Sequence, residues 1–140
     1  FDSLTHPNSV QGGKRPRSSI SPTIVLRKGK PFLALGSPGG STIITTVLQM
    51  LVDRIDLGLT FPQAMADPRA SQRNSATTSV EAAFLQIPEA AALTARGHKF
   101  GAPAEIGAAS GIEFLAKGQV LASAEPVRRG GGSAMVVKPK

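Results

Sequence analysis

The spacing of apolar positions divides the chain into short strand-like runs and longer helical ones. Residues 23–26 and 32–35 are short and almost wholly apolar, and the turn between them carries Gly29, so they predict a β-hairpin. Because neither run alternates, we expect an interior sheet covered on both faces. Residues 110–115 and 119–124 flank a Lys-Gly turn and predict a second hairpin. Runs at residues 79–85 and 133–137 predict two further strands.

A helical period begins at residue 42. Apolar side chains recur every four residues, with others beside them: Ile43, Ile44, Val47, Leu48, Leu51, Val52 and Ile55. This stripe predicts a core-facing helix over residues 42–57, with Ser41 as N-cap and Gly58 as its stop. Thr60 and Gln63 predict a capping box for a second helix that ends before Pro68. Residues 88–96, followed by a glycine, predict a third helix, so the chain is a layered α/β or α+β design.

Composition narrows the classes of function. The chain has 140 residues, of which 41% are hydrophobic, enough for one domain with a core. The absence of Cys excludes disulfides and thiolate chemistry, and no apolar run is long enough to span a bilayer. A net charge of +7 raises nucleic acid as a partner, but there is no Trp or Tyr for base stacking, so that is the lesser interpretation. His6 and His98 lie far apart and stand in no metal-ligand spacing.

The first candidate site is the run Gly-Ser-Pro-Gly-Gly-Ser at residues 36–41, between a strand and the long helix. The first N–H groups of a helix have no partner within it, and the helix dipole adds positive charge there. Without a Cβ at Gly39 and Gly40, a ligand can approach the main chain. The turn therefore suits an anion, either a permanent one such as phosphate or one that develops during acyl transfer. Such glycine turns more often only connect a strand to a helix and have no functional role.

The second candidate is Lys-Arg-Pro-Arg-Ser-Ser at residues 14–19. The hydroxyls of Ser18 and Ser19 can donate hydrogen bonds to a carboxylate beside three cations, and a solvated basic loop is the alternative. The run at residues 125–129, with Glu125 and two arginines, predicts a surface charge cluster. No Ser or Thr stands in a Gly-x-Ser-x-Gly elbow, so an oxyanion-type turn is visible without its nucleophile.

These motifs, in this order and spacing, resemble the γ-glutamyltranspeptidase family. The resemblance is dense over residues 12–70, where residues 14–25, 36–41, 43–44, 47–49 and 66–69 carry it. Ser-Val-Glu at residues 79–81 and the run at residues 125–130 look like later landmarks. The resemblance implies an α+β fold, part of a four-layer αββα sandwich of the N-terminal-nucleophile hydrolase type, cut from one precursor by its own threonine.

The resemblance also implies the chemistry. A threonine at the start of the small subunit would attack the γ-glutamyl amide of glutathione or a related donor, with its own α-amino group as base. The γ-glutamyl-enzyme would then pass its group to water, an amino acid or a peptide. Ser18 and Ser19 would bind the α-carboxylate, and the backbone N–H groups of Gly39 and Gly40 would form the oxyanion hole. The remaining substrate-binding positions would be Ser37 and Pro38, which shape the turn.

The chain departs from the family pattern at defined places. The Thr-Thr-His start of the small subunit occurs nowhere, and the acid that binds the substrate's α-amino group would lie at or before Phe1. Thr42 stands where the family often has Arg, and residues 70–78 lack its aromatic and histidine-rich run. We therefore interpret residues 1–140 as a single domain fragment, the C-terminal portion of a small subunit. The large subunit of the same precursor would be its partner, the location would be periplasmic or extracellular, and no cofactor is implied.

Two other interpretations stay open. One is a non-catalytic binding or structural module that keeps the glycine turn for folding alone. The other is a cephalosporin or glutaryl acylase of the same fold, although the paired serines favour a glutamyl group.

The absent threonine generates a prediction. The purified 140-residue chain should not turn over a γ-glutamyl anilide, because it holds no N-terminal hydroxyl nucleophile. A spectrophotometric assay of released nitroaniline measures this, and turnover above that of a heat-denatured sample would contradict it.

Overall fold

The main sheet of the protein has four antiparallel strands. The computed structural model describes residues 7–102, 104–126 and 128–135. The strands β1 (Thr23–Arg27), β2 (Lys30–Gly36), β5 (Ser110–Phe114) and β6 (Val120–Ala124) lie in the order β1-β2-β5-β6. Two short strands, β3 (Ala70–Ser71) and β4 (Ser79–Val80), pair separately. Both predicted hairpins are therefore confirmed.

The described residues form three α-helices. They are α1 (Ile43–Ile55), α2 (Phe61–Ala66) and α3 (Pro88–Ala95). Short 3-10 turns cover Gly40–Thr42, Ala82–Gln86, Ala116–Gly118 and Arg128–Gly130. The capping box of α2 forms as predicted, because the Thr60 hydroxyl accepts from the Gln63 N–H and the Gln63 side chain accepts from the Thr60 N–H. No helix among the described residues is long and apolar enough to cross a membrane.

The core lies between one face of the sheet and the helices α1 and α2. Phe32, Leu33 and Leu35 of β2 pack with side chains of both helices and of the segment before β5: Ile43, Val47, Met50, Phe61, Met65 and Ala109. Because burial of apolar surface is the main favourable term in folding, this cluster fixes α1, and with it the turn at residues 37–41, against the end of β2.

The predicted stripe of α1 is only partly right. Ile43 and Val47 are buried, but the apolar side chains beside them are exposed: Ile44, Leu48, Val52 and Ile55. The buried face is instead completed by Thr46, Met50 and Asp53. A run that is apolar on two faces cannot indicate which face meets the core, and here the packing against β2 decides.

Four other expectations need correction. The sheet is not covered on both faces by the described residues, since Ile24 and Ile112 flank Ala34 on one face and remain 72% and 39% exposed. The N-cap of α1 is Thr42, not Ser41, because a 3-10 turn precedes the helix. The strand predicted over residues 79–85 ends at Val80 and continues as a 3-10 turn. Residues 133–135 form no strand, and the rest of that predicted run lies outside the described residues.

Asp53 is a buried carboxyl on the core face of α1. The residue is 4% exposed, and its Oδ2 atom has no hydrogen-bond partner among the described residues. Burial, with a smaller contribution from the nearby Asp67 carboxylate, raises the pKa of Asp53 to about 6. The native state therefore binds a proton at Asp53 more tightly than the unfolded chain does.

This sets the sign of a pH dependence. Because folding raises the pKa of this carboxyl, the free energy of unfolding falls as pH rises from about 4 to about 6. Above about pH 6 this loss of stability is complete and stays constant. Asp53→Asn should therefore stabilise the protein at pH 7 by about 1–3 kcal/mol, and by much less at pH 4. Urea unfolding at both pH values measures the difference. The exposed neighbour Asp56→Asn is the control, and an equal effect of both substitutions would contradict the assignment.

Candidate functional site

The turn between β2 and α1 leaves main-chain donors free. Gly39 has a φ of 149° and Gly40 a φ of 56°, values that side chains disfavour. The Gly39 carbonyl accepts from the Thr42 N–H at 3.1 Å and from the Thr42 hydroxyl at 2.9 Å, which closes the turn. The N–H groups of Gly39 and Gly40 donate to no described residue. Two neighbouring donors without a partner are what a developing oxyanion requires.

Ser37 and Pro38 form the first part of this turn, directly after β2. The Ser37 hydroxyl donates to the Pro38 carbonyl at 2.7 Å and accepts from the Ala108 N–H at 3.1 Å. Its hydroxyl therefore ties the turn to the segment that leads into β5.

Gly107 allows the segment before β5 to lie close to the turn. With a φ of 71°, a Cβ on Gly107 would lie 2.7 Å from Ser37 Oγ and 3.0 Å from Thr46 Oγ1. A Cβ on Gly39 would in turn lie 3.4 Å from Gly107 Cα. The glycine turn is thus supported from behind by a second glycine that the sequence analysis did not single out.

A buried cluster of four charged side chains holds the same segment. The charge cluster consists of Arg69, Glu81, Glu125 and Arg128, each at most 9% exposed. Arg69 pairs with Glu125 at 3.0 Å, and Arg128 pairs with Glu125 at 2.7 Å and with both oxygens of Glu81. The prediction of a surface cluster at residues 125–129 is therefore wrong for Glu125 and Arg128. Both are buried, because Arg128 pairs with Glu81, 47 residues earlier in the chain, and Glu125 pairs with Arg69, 56 residues earlier.

The charge cluster also bonds the main chain of residues 106–109. Glu81 accepts from the Ile106 N–H at 3.0 Å, and Arg69 donates to the Ile106 carbonyl at 2.8 Å. Glu125 accepts from the Ala109 N–H at 3.3 Å. Gly107 and Ala108, which contact the turn, are therefore fixed on both sides by hydrogen bonds to the charge cluster.

The pKa of Glu81 agrees with this arrangement. Burial alone would raise it, but hydrogen bonds from Arg128 and from the N–H groups of Ile106 and Arg69 lower the pKa of Glu81 below its ordinary value. Glu81 is therefore a carboxylate in the folded protein.

Ser18, Ser19 and Gly40 line one open cavity of about 680 Å³. Ser18 is exposed and its hydroxyl accepts from the Ile20 N–H at 3.3 Å, whereas the Ser19 hydroxyl makes no hydrogen bond with a described residue. The structure thus brings both serines and one glycine of the turn to the same space. Ser37 and Pro38 do not line it.

Arg73 also lines this cavity and donates to the Ser41 hydroxyl. The sequence analysis gave no role to Arg73, which is exposed. Only the contact with Ser41, 32 residues away, reveals its place.

Comparison with known proteins agrees with this architecture. A glutathione hydrolase proenzyme from Escherichia coli is 60% identical over 62 residues, 44% of this chain and 11% of that protein. An acylase ACY 1 proenzyme from a Pseudomonas species is 34% identical over 125 residues, 85% of this chain and 22% of that protein. The structure of γ-glutamyltranspeptidase from Pseudomonas nitroreducens complexed with L-DON matches with a TM-score of 0.81 at 32% identity, over 96% of this chain and 70% of that one.

These matches establish the fold and the family. The fold is α+β, part of the αββα sandwich that the structural neighbours share. The chain covers only a small part of the curated relatives' length. The family model for γ-glutamyltranspeptidase matches residues 1–135, so the chain belongs to the γ-glutamyltranspeptidase family.

Proposed function

We propose that this chain supplies the donor-binding and oxyanion elements of an enzyme that cleaves γ-glutamyl amides, glutathione among them. The observation that carries the proposal is the shared cavity: Ser18, Ser19 and Gly40 line it, and the N–H groups of Gly39 and Gly40 have no described partner. A γ-glutamyl group has an anion for each of these two sets of donors. Its α-carboxylate is a permanent anion at one end, and an oxyanion develops at the γ-carbonyl during the reaction.

In this proposal the α-carboxylate binds the hydroxyls of Ser18 and Ser19. A threonine outside this chain attacks the γ-carbonyl carbon, and its own α-amino group takes the hydroxyl proton. The carbonyl oxygen becomes an oxyanion that accepts hydrogen bonds from Gly39 and Gly40. The proton then passes to the departing amine, and water, an amino acid or a peptide takes the glutamyl group from the resulting ester.

The chain would be the C-terminal portion of the small subunit of a self-cleaved precursor, with the large subunit as its partner and a periplasmic or extracellular location. Its similarity to relatives named as proenzymes supports the origin from a precursor. Ser37 and Pro38 would act by shaping the turn, since the Ser37 hydroxyl already bonds Pro38 and Ala108.

An acylase is the second candidate, favoured by the longer match to the acylase proenzyme. A γ-glutamyl group and a glutaryl group both carry a carboxylate at the end opposite the scissile amide, and they differ by the α-ammonium of the glutamyl group. Donor profiling of the complete protein separates the two: preference for a γ-glutamyl over a glutaryl anilide supports the proposal, and the reverse preference replaces it by the acylase.

Replacing Ser18 and Ser19 together with Ala in the complete protein removes both proposed donors to the carboxylate. Since a hydrogen bond to a charged group contributes about 1.5–3 kcal/mol and two such bonds are lost, kcat/KM for a γ-glutamyl anilide should fall by about 100-fold or more, mostly through KM. Steady-state kinetics measure this. Ser133→Ala, an exposed serine outside the cavity, is the control, and unchanged constants in the double variant would sink the assignment.

Gly107→Ala should act differently, because its Cβ would push against Ser37 and displace the turn. Loss of one oxyanion donor typically costs about 100-fold or more in kcat, and a displaced turn should cost at least about tenfold. The KM should change little, since the contacts with Ser18 and Ser19 persist.

Gly118→Ala is a matched control for this substitution. Gly118 has nearly the same φ, 73° against 71°, but nothing lies within 4 Å of its added Cβ. Equal losses of kcat in both variants would attribute the effect to backbone strain and contradict the proposed support of the turn.

A further inference from the structure

Two successive peptide units of the glycine turn each have a carbonyl oxygen that accepts from a hydroxyl group. The first unit joins Pro38 to Gly39, and its carbonyl accepts from the Ser37 hydroxyl at 2.7 Å. The second unit joins Gly39 to Gly40, and its carbonyl accepts from the Thr42 hydroxyl at 2.9 Å and from the Thr42 N–H at 3.1 Å. The N–H groups of these same two units are those of Gly39 and Gly40, the proposed oxyanion donors.

The partners of both hydroxyls fix where their protons point. A carbonyl oxygen can only accept, so the Ser37 proton points at the Pro38 carbonyl, and Ser37 Oγ uses a lone pair for the Ala108 N–H. For the same reason the Thr42 proton points at the Gly39 carbonyl. Each hydroxyl is therefore the donor in its contact with the turn.

A hydrogen bond to the carbonyl of a peptide unit changes the N–H of that unit. The peptide bond is conjugated, so electron density drawn toward the oxygen leaves the N–H more positive and a stronger donor. Successive hydrogen bonds in such a chain strengthen one another by about 10–30% each. The turn contains two of these chains in a row, and both end at an N–H that donates to no described residue.

Gly39 makes room for the second chain. A Cβ on Gly39 would lie 2.7 Å from Thr42 Oγ1, closer than a side chain tolerates. The glycine therefore has a further role besides its φ of 149°, because it lets the Thr42 hydroxyl reach the carbonyl.

We propose that Ser37 and Thr42 are positioning residues whose hydroxyls strengthen the two main-chain donors of the proposed oxyanion hole. Ser37 acts on the Gly39 N–H, and Thr42 acts on the Gly40 N–H. This inference rests on the proposed function and adds a role for two side chains that do not contact the substrate. The gain grows with the negative charge on the substrate's carbonyl oxygen, so it stabilises the transition state more than the bound donor and acts on kcat rather than KM.

The first measurement is the NMR chemical shift of the amide nitrogens of Gly39 and Gly40 in the complete protein. Loss of a hydrogen bond at a carbonyl moves the nitrogen signal of the next residue upfield. Ser37→Ala should therefore shift the Gly39 signal and leave that of Gly40 nearly unchanged. Thr42→Val should do the reverse, whereas a turn that is merely displaced shifts both signals in either variant.

The second measurement is steady-state kinetics with a γ-glutamyl anilide. Loss of a whole oxyanion donor costs about 100- to 1,000-fold in kcat, and each hydroxyl contributes about 10–30% of one such interaction. Ser37→Ala and Thr42→Val should therefore each lower kcat about two- to eightfold with little change in KM. Thr42→Ser keeps the hydroxyl and should retain both kcat and the Gly40 signal.

Thr46→Val is the matched control. Thr46 is 1% exposed, and its Oγ1 lies 3.0 Å from the position that a Cβ on Gly107 would take, close to Ser37. That atom has no hydrogen-bond partner among the described residues. The substitution removes a hydroxyl from the same region without changing a bond to either carbonyl, so kcat and both glycine signals should stay as they are.

The outcomes separate this inference from the proposed function. If the unsubstituted protein turns over the anilide but neither variant changes its own glycine signal selectively, or neither lowers kcat, the inference is wrong and the proposed function stands. A loss of kcat in Thr46→Val equal to that in Ser37→Ala also overturns it, since packing would then be the cause. If the unsubstituted protein does not turn over the anilide, both fall. If one variant does not fold, the other decides.

Discussion

The buried charge cluster is the interaction on which the rest of this structure depends. Arg69, Glu81 and the pair Glu125 and Arg128 come from three separate parts of the chain and meet in the interior. Removing one member of such a pair typically costs about 3–5 kcal/mol, yet the intact pair contributes little compared with apolar side chains of similar volume. Its consequence is therefore chiefly geometric. Because the carboxylates and one guanidinium bond the main chain at Ile106 and Ala109, the backbone between them has a fixed place.

That fixed segment supports the glycine turn, and the turn faces an open cavity. On the inner side, Ser37 accepts from Ala108, and Gly107 leaves no room for a side chain. On the cavity side, Gly40 lies beside Ser18, Ser19 and Arg73. The N–H groups of Gly39 and Gly40 donate to no residue that the structure describes. In the proposed function, a rigid support behind the turn and main-chain donors in front of it would form a preorganised site, in which little free energy is lost to reorganisation when charge develops.

Local signals in the sequence were sufficient for much of the fold. The hairpins around Gly29 and Gly118 and the Thr60 capping box depend on neighbours in the chain, and they were predicted correctly. The face of α1 that meets the core was not, since Ile44 and Leu48 are as apolar as the buried Val47 and only packing distinguishes them. The glycine turn and the paired serines were recognisable from their motifs. Gly107 and Arg73 were not, because a close approach to Ser37 and a contact with Ser41 exist only after distant segments have come together.

In the proposed function, the paired serines and the glycine turn converge on one γ-glutamyl group. The decisive experiment is a crystal structure of the complete protein with a covalent γ-glutamyl-type inhibitor. We expect the inhibitor's α-carboxylate within hydrogen-bond distance of the hydroxyls of Ser18 and Ser19. We also expect the oxygen that replaces the carbonyl about 2.7–3.1 Å from the nitrogens of Gly39 and Gly40. An inhibitor whose carboxylate lies away from both serines, or whose oxygen points away from the turn, would contradict the proposed function.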